Sequence, residues 1–335
     1  MKIVVRVPNW IGDVVFALPA LRSLSAHFAG ADIRIAGPAW AADLLSGTEF
    51  AGKTISLGAA GKPGHWRGPA AALRAEAFDV GILLTNSFSS AFFFRRAGIA
   101  ERWGYRSDGR GVLLTRSVRR KKQVPPTHMV RNYLELLEGL DVPTLPPSID
   151  LAVSAEARKR ASRRLAGLGI EPSRPLVLLA PGAAHGPAKR WPAARFGETA
   201  ALLQARFGAD VAIIGTAADS PLAAAIAAAM AVPPADLTGQ TDLGELLGLL
   251  AAASILISND SGPLHMANAL RVPVVAVFGP TDPRATGPFH PPARVLRKEG
   301  IPCWPCEYRE CPYDHRCMIR ITPDEAARDA GELLR

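Results

Sequence analysis

A chain of 335 residues is long enough for about two domains, each burying its own core. With 48% hydrophobic residues it reads as globular, which excludes a disordered chain. Its 39 Lys+Arg against 30 Asp+Glu leave +9, and the whole excess lies between Arg95 and Arg131, where nine Arg and two Lys face only Glu101 and Asp108. The rest of the chain balances at 28 charges of each sign, which argues against a uniform nucleic-acid coat and for one local patch. No run approaches the roughly 18 apolar residues that a membrane span requires. The opening apolar run is broken by Arg6, Asn9 and Asp13, unlike a signal peptide. Four clustered Cys are too few for a secreted disulfide framework. These features predict a cytoplasmic protein without a transmembrane anchor.

In chain order, Ile3 to Val7 predicts a buried strand. The turn Pro8-Asn9-Trp10-Ile11-Gly12-Asp13 follows, and then Val14, Val15, Leu18, Leu21, Leu24 and Phe28 recur at helical spacing. Ile33 to Ala36 and Val80 to Leu84 predict further parallel strands. Pro143, Pro146 and Pro147 break the periodicity and mark a domain boundary near residue 150. The second half repeats the grammar, with strands at Leu176 to Ala180, Val211 to Gly215, Ile255 to Ser258 and Val274 to Phe278. Helices are expected from Ala193 to Phe207 and from Pro263 to Leu270. The tail from Pro323 to Arg335 reads as a helix opening at Thr322. The expectation is α/β, with two doubly wound Rossmann-like domains at residues 1–150 and 151–321, and a terminal helix at 322–335 that packs back on the first domain.

Ligands of open parallel sheets bind beyond the carboxyl ends of strands. Four polar segments fall there. Gly12 allows close backbone approach, and Asp13 is either a helix cap or a general base. Lys189 and Arg190, after the Pro181-Gly182 turn, suit a diphosphate as point charge and planar fork. Ser261 and Gly262 lead into a helix whose N–H groups make an anion site, while Asp260 would repel phosphate and face sugar hydroxyls. Thr281 and Asp282 close a second wall of the same pocket. The set suggests a nucleotide diphosphate. Neither a dinucleotide fingerprint nor a Walker loop is present, which argues against an NAD enzyme and a P-loop NTPase.

Five segments appear together and in order: Pro8 to Asp13, Pro181 to Ala183, Lys189 to Pro192, Ser258 to His265 and Phe278 to Pro283. As a set they resemble the ADP-heptose:lipopolysaccharide heptosyltransferases, glycosyltransferase family 9. The form Gly-Pro-Ala-Lys-Arg-Trp-Pro is most similar to members that add the second inner-core heptose. The resemblance implies a GT-B fold with two domains facing a central cleft. It implies inverting, metal-independent transfer from ADP-heptose to heptosyl-Kdo2-lipid A, with no cofactor required. It further implies Asp13 as base on the acceptor, Lys189 on the diphosphate, Asp260 on heptose hydroxyls and the Ser261–Gly262 backbone on phosphate. Gly12, Gly215, Thr241, Thr281 and Asp282 complete the donor site by position. The acidic residue that some members place after the glycine at 215 to hold ribose has no match here, since Ala217 and Ala218 follow; Asp219 is the nearest acid.

Arg119, Arg120, Lys121 and Lys122 are the candidate acceptor patch, facing Kdo carboxylates, lipid A phosphates and the anionic inner leaflet of the membrane. The expected enzyme is a monomer, peripheral to the cytoplasmic face of the inner membrane. A first or other family heptosyltransferase, a nucleotide-sugar epimerase and a non-catalytic sugar-nucleotide binder are the alternatives. No nucleic-acid partner is expected, since no binding signature accompanies the patch. Cys303, Cys306, Cys311 and Cys317 fall within fifteen residues, a spacing open to free thiols, a structural zinc loop or a disulfide.

Overall fold

The computed structural model describes residues 1–58, 67–120 and 125–335. They divide into two units, Met1–Asp150 and Leu151–Arg335.

The first unit is built on strands β1 (Lys2–Arg6), β2 (Asp32–Gly37), β3 (Thr54–Ser56), β4 (Val80–Leu83), β5 (Glu101–Tyr105) and β6 (Arg116–Val118). Between them run helices α1 (Ile11–His27), α2 (Ala41–Leu45), α3 (Arg67–Ala75) and α4 (Phe88–Arg96), and α5 (Met129–Glu138) follows β6. The sheet order is β3-β2-β1-β4-β5-β6, with every described ladder parallel. Ile3 of β1 pairs with Ile33 on one side and Val80 on the other, so β1 is sealed on both edges. Ile3 to Arg6 are all buried, so both faces of the strand are covered and it reads as a nearly continuous apolar run.

The second unit repeats the plan with β7 (Leu176–Ala180), β8 (Asp210–Ile213), β9 (Ala235–Asp236), β10 (Ile255–Asn259), β11 (Val274–Val277) and β12 (Ala293–Leu296). Its order is β12-β11-β10-β7-β8-β9, again all parallel. Its helices are α6 (Ala155–Gly167), α7 (Ala193–Phe207), α8 (Ser220–Ala228), α9 (Leu243–Ala252), α10 (Gly262–Ala269), α11 (Pro283–Thr286), α12 (Arg316–Ile319) and α13 (Pro323–Leu333). In each sheet the chain starts in the middle, winds one way and then returns to wind the other. The reversal falls between β1 and β4, and between β7 and β10. Crevices open at such switch points, so the loops after these four strands are where ligands are received.

Seven strands match sequence expectation to within two residues. The unpredicted ones, β3, β5, β6, β9 and β12, are peripheral. β5 and β6 carry Glu101, Arg102 and Arg116 within short runs, so their charge hides their pairing. The terminal helix α13 starts at Thr322 with a full capping box, in which Glu325 reaches back to the Thr322 N–H at 2.9 Å. It packs on α7 and along β11 and β12, within its own unit.

Trp191 anchors this packing. It is 1% exposed, meets Phe196 edge-on at 5.1 Å and donates its Nε1–H to the Ile321 carbonyl at 3.2 Å. Trp191→Ala should cost about 3–5 kcal/mol through cavity and lost hydrogen bond. In urea unfolding, the second unit's midpoint should fall while that of the first stays unchanged.

Candidate functional site

At the first switch point, the loop after β1 is set by a buried arginine. Arg6 is 4% exposed and donates from Nη2 to Asn9 Oδ1 at 2.6 Å, with a further bond to the Val7 carbonyl. Burial lowers its pKa to about 10, so it remains charged at neutral pH. The loop then enters α1, whose N-cap is Trp10, in extended conformation and without a side-chain cap bond. Asp13 is not itself the N-cap: it is the third residue of the helix and half-buried, and Gly12 is buried beside it. Tyr133 of α5 is raised well above its ordinary pKa, first by burial and second by the charge of Asp13, which places Asp13 near a buried phenol. His128 packs edge-on against Phe16, one turn along α1, at 4.9 Å. Arg119 and Arg120 follow β6 and are exposed, while Lys121 and Lys122 lie outside the described residues.

At the second switch point the hub is Asp260, 5% exposed, directly after β10. Its Oδ2 accepts from Lys189 Nζ at 2.6 Å, Thr281 Oγ1 at 2.7 Å and, weakly, Thr286 Oγ1 at 3.4 Å. His265 Nε2 lies 3.5 Å from Oδ1. Burial alone would raise this carboxyl, but His265 and Lys189 outweigh it and hold it well below the usual carboxylate range. Sequence spacing separated Lys189 for phosphate from Asp260 for sugar. The structure joins them in an ion pair across 71 residues. Asn259 fastens the surrounding loops, donating to the Pro181 carbonyl at 2.7 Å and accepting from the Trp191 N–H at 3.0 Å.

Helix α10 begins here. Its N-cap, Ser261, makes no side-chain cap bond, so the first-turn N–H groups are not occupied by it. The helix starts one residue before expectation, with Pro263 second. Arg190, next in sequence to Lys189, has Nη2 4.0 Å from Asp219 Oδ1. Its buried Nε has no partner among the described residues. Side-chain N–H groups beside an open helix N-terminus are suited to anionic oxygens.

Asp219 is central to the Gly215 loop. It accepts from the Thr216 N–H at 2.9 Å and its hydroxyl at 2.8 Å. A Cβ on Gly182 would stand 2.7 Å from its Oδ1, and one on Gly215 would stand 3.0 Å from Oδ2. Thr241 lies in the next loop, which Gly239 joins to the Gly215 carbonyl at 2.9 Å. Asp282 is engaged locally: it caps α11 through the Arg284 N–H and receives Arg284 Nη2 at 2.6 Å.

Sequence reasoning missed the role of residues 301–318. This segment straps two site loops together. Cys306 and Glu307 N–H groups donate to the Pro280 carbonyl at 3.1 and 3.2 Å, and Trp304 Nε1 donates to the Thr281 carbonyl at 3.1 Å. Ala188 N–H donates to the Arg309 carbonyl at 3.0 Å, and His315 Nε2 lies 2.7 Å from the Ala188 carbonyl. All four Cys line one cavity of about 400 Å³ with Ala188 and Pro280. They are free thiols, and burial pushes Cys317 up to about 11. No group of three or more His, Cys, Asp or Glu among the described residues is arranged to hold a metal ion, and none of the four thiols is joined in a disulfide.

The model of glycosyltransferase family 9 (heptosyltransferase) matches residues 67–316. The lipopolysaccharide heptosyltransferase 2 of Escherichia coli is 34% identical over 369 positions, covering 100% of this chain and 99% of the relative. The lipooligosaccharide heptosyltransferase 2 of Haemophilus influenzae is 32% identical over 354 positions, with the same coverage. The solved structure of the E. coli ADP-heptose lps heptosyltransferase II superimposes with a TM-score of 0.84 at 31% identity, over 100% of this chain and 98% of that one. The α/β class and GT-B fold expected from the sequence are borne out.

The strap can be tested at Gly186, where a Cβ would collide with the Arg309 carbonyl. Gly186→Ala should detach the strap from the Lys189 loop and weaken ADP binding by about tenfold in calorimetry. His315→Gln, which keeps a side-chain donor, should bind ADP better than His315→Ala.

Proposed function

The chain belongs to glycosyltransferase family 9, and we propose that it transfers heptose from ADP-heptose to the heptosyl-Kdo2-lipid A inner core of lipopolysaccharide. The observation that carries this reading is the Lys189–Asp260–Thr281 cluster at the open N-terminus of α10, with Arg190 next in sequence to Lys189 and turned to Asp219. Lys189, using one ammonium proton on Asp260, has others for the diphosphate. The Ser261 and Gly262 N–H groups take a second phosphate oxygen, and the helix dipole favours the charge. Asp260 and the Thr281 hydroxyl offer oxygen partners to heptose hydroxyls. Thr216 and the Gly215 loop, held by Asp219, form the nucleoside end, with Gly12 and Thr241 lining the donor.

The reaction is a single displacement with inversion. The acceptor hydroxyl oxygen bonds to the anomeric carbon as the bond from that carbon to the diphosphate breaks. Asp13 takes the hydroxyl proton, and ADP leaves with the electron pair. Charge on the leaving group is stabilised by Lys189, Arg190 and α10. No metal ion is needed for these steps, and the four cysteines have no part in them. Arg119, Arg120, Lys121 and Lys122 meet the acceptor's carboxylates and phosphates. No helix among the described residues is long and apolar enough to cross a membrane. A lipid-anchored acceptor therefore brings the enzyme to the cytoplasmic face of the inner membrane as a peripheral protein.

Incubation with ADP-heptose and either Kdo2-lipid A or heptosyl-Kdo2-lipid A, read by mass, should show one added heptose on the second acceptor only. Asp13→Asn should retain ADP-heptose binding and lose roughly 10²–10⁴-fold in turnover. Near-normal turnover in that variant removes Asp13 as the base. Lys189→Ala should weaken ADP by roughly tenfold or more, and unchanged affinity in calorimetry sinks the diphosphate assignment.

A further inference from the structure

Helix α4 carries a feature that transfer chemistry does not use. Ala91, Phe93 and Phe94 turn inward. A Cβ on Gly81 of β4 would stand 2.5 Å from the Phe94 ring, so the inner face is tightly seated. Yet the outer face is also apolar. Phe88 and Phe92, four residues apart, are 46% and 36% exposed, and their rings stack at 6.4 Å and 13°. A surface helix normally turns polar residues to solvent.

The surroundings extend this face. The 3-10 turn Arg110–Leu113 packs on α4 and adds Val112, 81% exposed. The support is rigid: Arg110 is fully buried, donates from Nε to the Tyr105 carbonyl at 2.8 Å and reaches Ser90 Oγ at 3.3 Å. The stem of Arg106 lies over Gly111, where a Cβ would meet it at 3.0 Å.

The charge around the face is uncompensated. Arg95 and Arg96 end α4 and are exposed, as is Arg106. Arg116 and Arg131 pair with Asp141 and Glu138, but among the described residues no carboxylate pairs with Arg95, Arg96 or Arg106. Of the two acids in the segment, Glu101 is engaged by Thr115 at 2.8 Å and Trp103 at 3.2 Å. Aromatic rings on a firm helix, ringed by free guanidinium groups, match the headgroup zone of an anionic bilayer. There rings settle at the interface and cations meet phosphates.

We infer that the outer face of α4, with Val112 and the flanking arginines, docks the protein on an anionic phospholipid leaflet. Its purpose rests on the lipid-anchored acceptor proposed above, while its evidence does not. Sedimentation of the full chain with acceptor-free vesicles tests it. Wild type should bind vesicles of phosphatidylglycerol and phosphatidylethanolamine, and should bind phosphatidylcholine vesicles weakly. The double variant Phe88→Ser with Phe92→Ser should lose roughly tenfold or more of that partition with an unchanged thermal midpoint. Arg95→Gln with Arg96→Gln, which leaves the rings in place, should flatten the salt dependence of binding. Both variants should turn over a deacylated, soluble acceptor normally and show a raised KM only for acceptor embedded in vesicles.

Unchanged vesicle binding in both variants overturns the proposal. So does loss of turnover on the soluble acceptor by a variant that stays folded. Self-association abolished by the Phe variant, without vesicle binding, would give the face to a second copy of the chain instead. Vesicle binding without heptose transfer to any acceptor would leave docking standing and bring down the transferase reading.

Discussion

The second unit is organised around one buried carboxylate. Taking a carboxylate out of water costs several kcal/mol unless its lone pairs are met. Asp260 is met by Lys189 from the loop after β7, Thr281 from the loop after β11, Thr286 from α11 and His265 from α10. One desolvated charge thus obliges four segments to converge. Removing a partner leaves charge that the interior cannot solvate, so the hub is held by the penalty for opening it as much as by attraction. The pair also sets the local charge. Lys189 and Asp260 sum to zero, and what remains for an anion is direction: unused ammonium protons, Arg190 and the N–H groups of α10.

The first unit handles charge differently. Arg6 and Arg110 are both buried, both lowered to about 10 by burial, and both bonded chiefly to carbonyls. Neither forms an ion pair among the described residues. They remain cationic at neutral pH, Arg110 with the charge of Asp108 nearby, and each ties down a loop at the carboxyl end of the sheet. Added to the exposed arginines, they give this unit a positive field that shapes its encounters with anionic partners. The other unit cancels its strongest cation internally.

The central strands were legible because they are sealed on both edges and faces, which leaves a plain apolar run such as Leu176 to Ala180. Outer strands were not: Glu101 to Tyr105 opens on two charged residues, and its pairing depends on β4 and β6, which lie elsewhere along the chain. The same limit governs the site. Asp13, Lys189, Asp260 and Ser261 could be picked out because each lies in the segment that follows a predicted strand and leads toward a helix. The bond between Lys189 and Asp260 could not, since it depends on β7 and β10 being neighbours. The strap was invisible for a different reason. Its grip on Pro280 and Ala188 runs mostly through backbone groups of Cys306, Glu307 and Arg309, and backbone bonding leaves little signature in residue type.

Asp219 draws a last consequence from close packing. Its carboxylate fills the space that side chains on Gly182 and Gly215 would need, from two different loops. A side chain at Gly182 meets the carboxylate at 2.7 Å and one at Gly215 meets it at 3.0 Å, so both glycines leave room for the same acid. An alanine at either glycine displaces the carboxylate, and a longer acid at 219 presses on both glycines. Enlarging either glycine asks this carboxylate to move, and moving it loosens its hold on Thr216. The three positions are therefore coupled, and the stability effects of substitutions at them will not simply add.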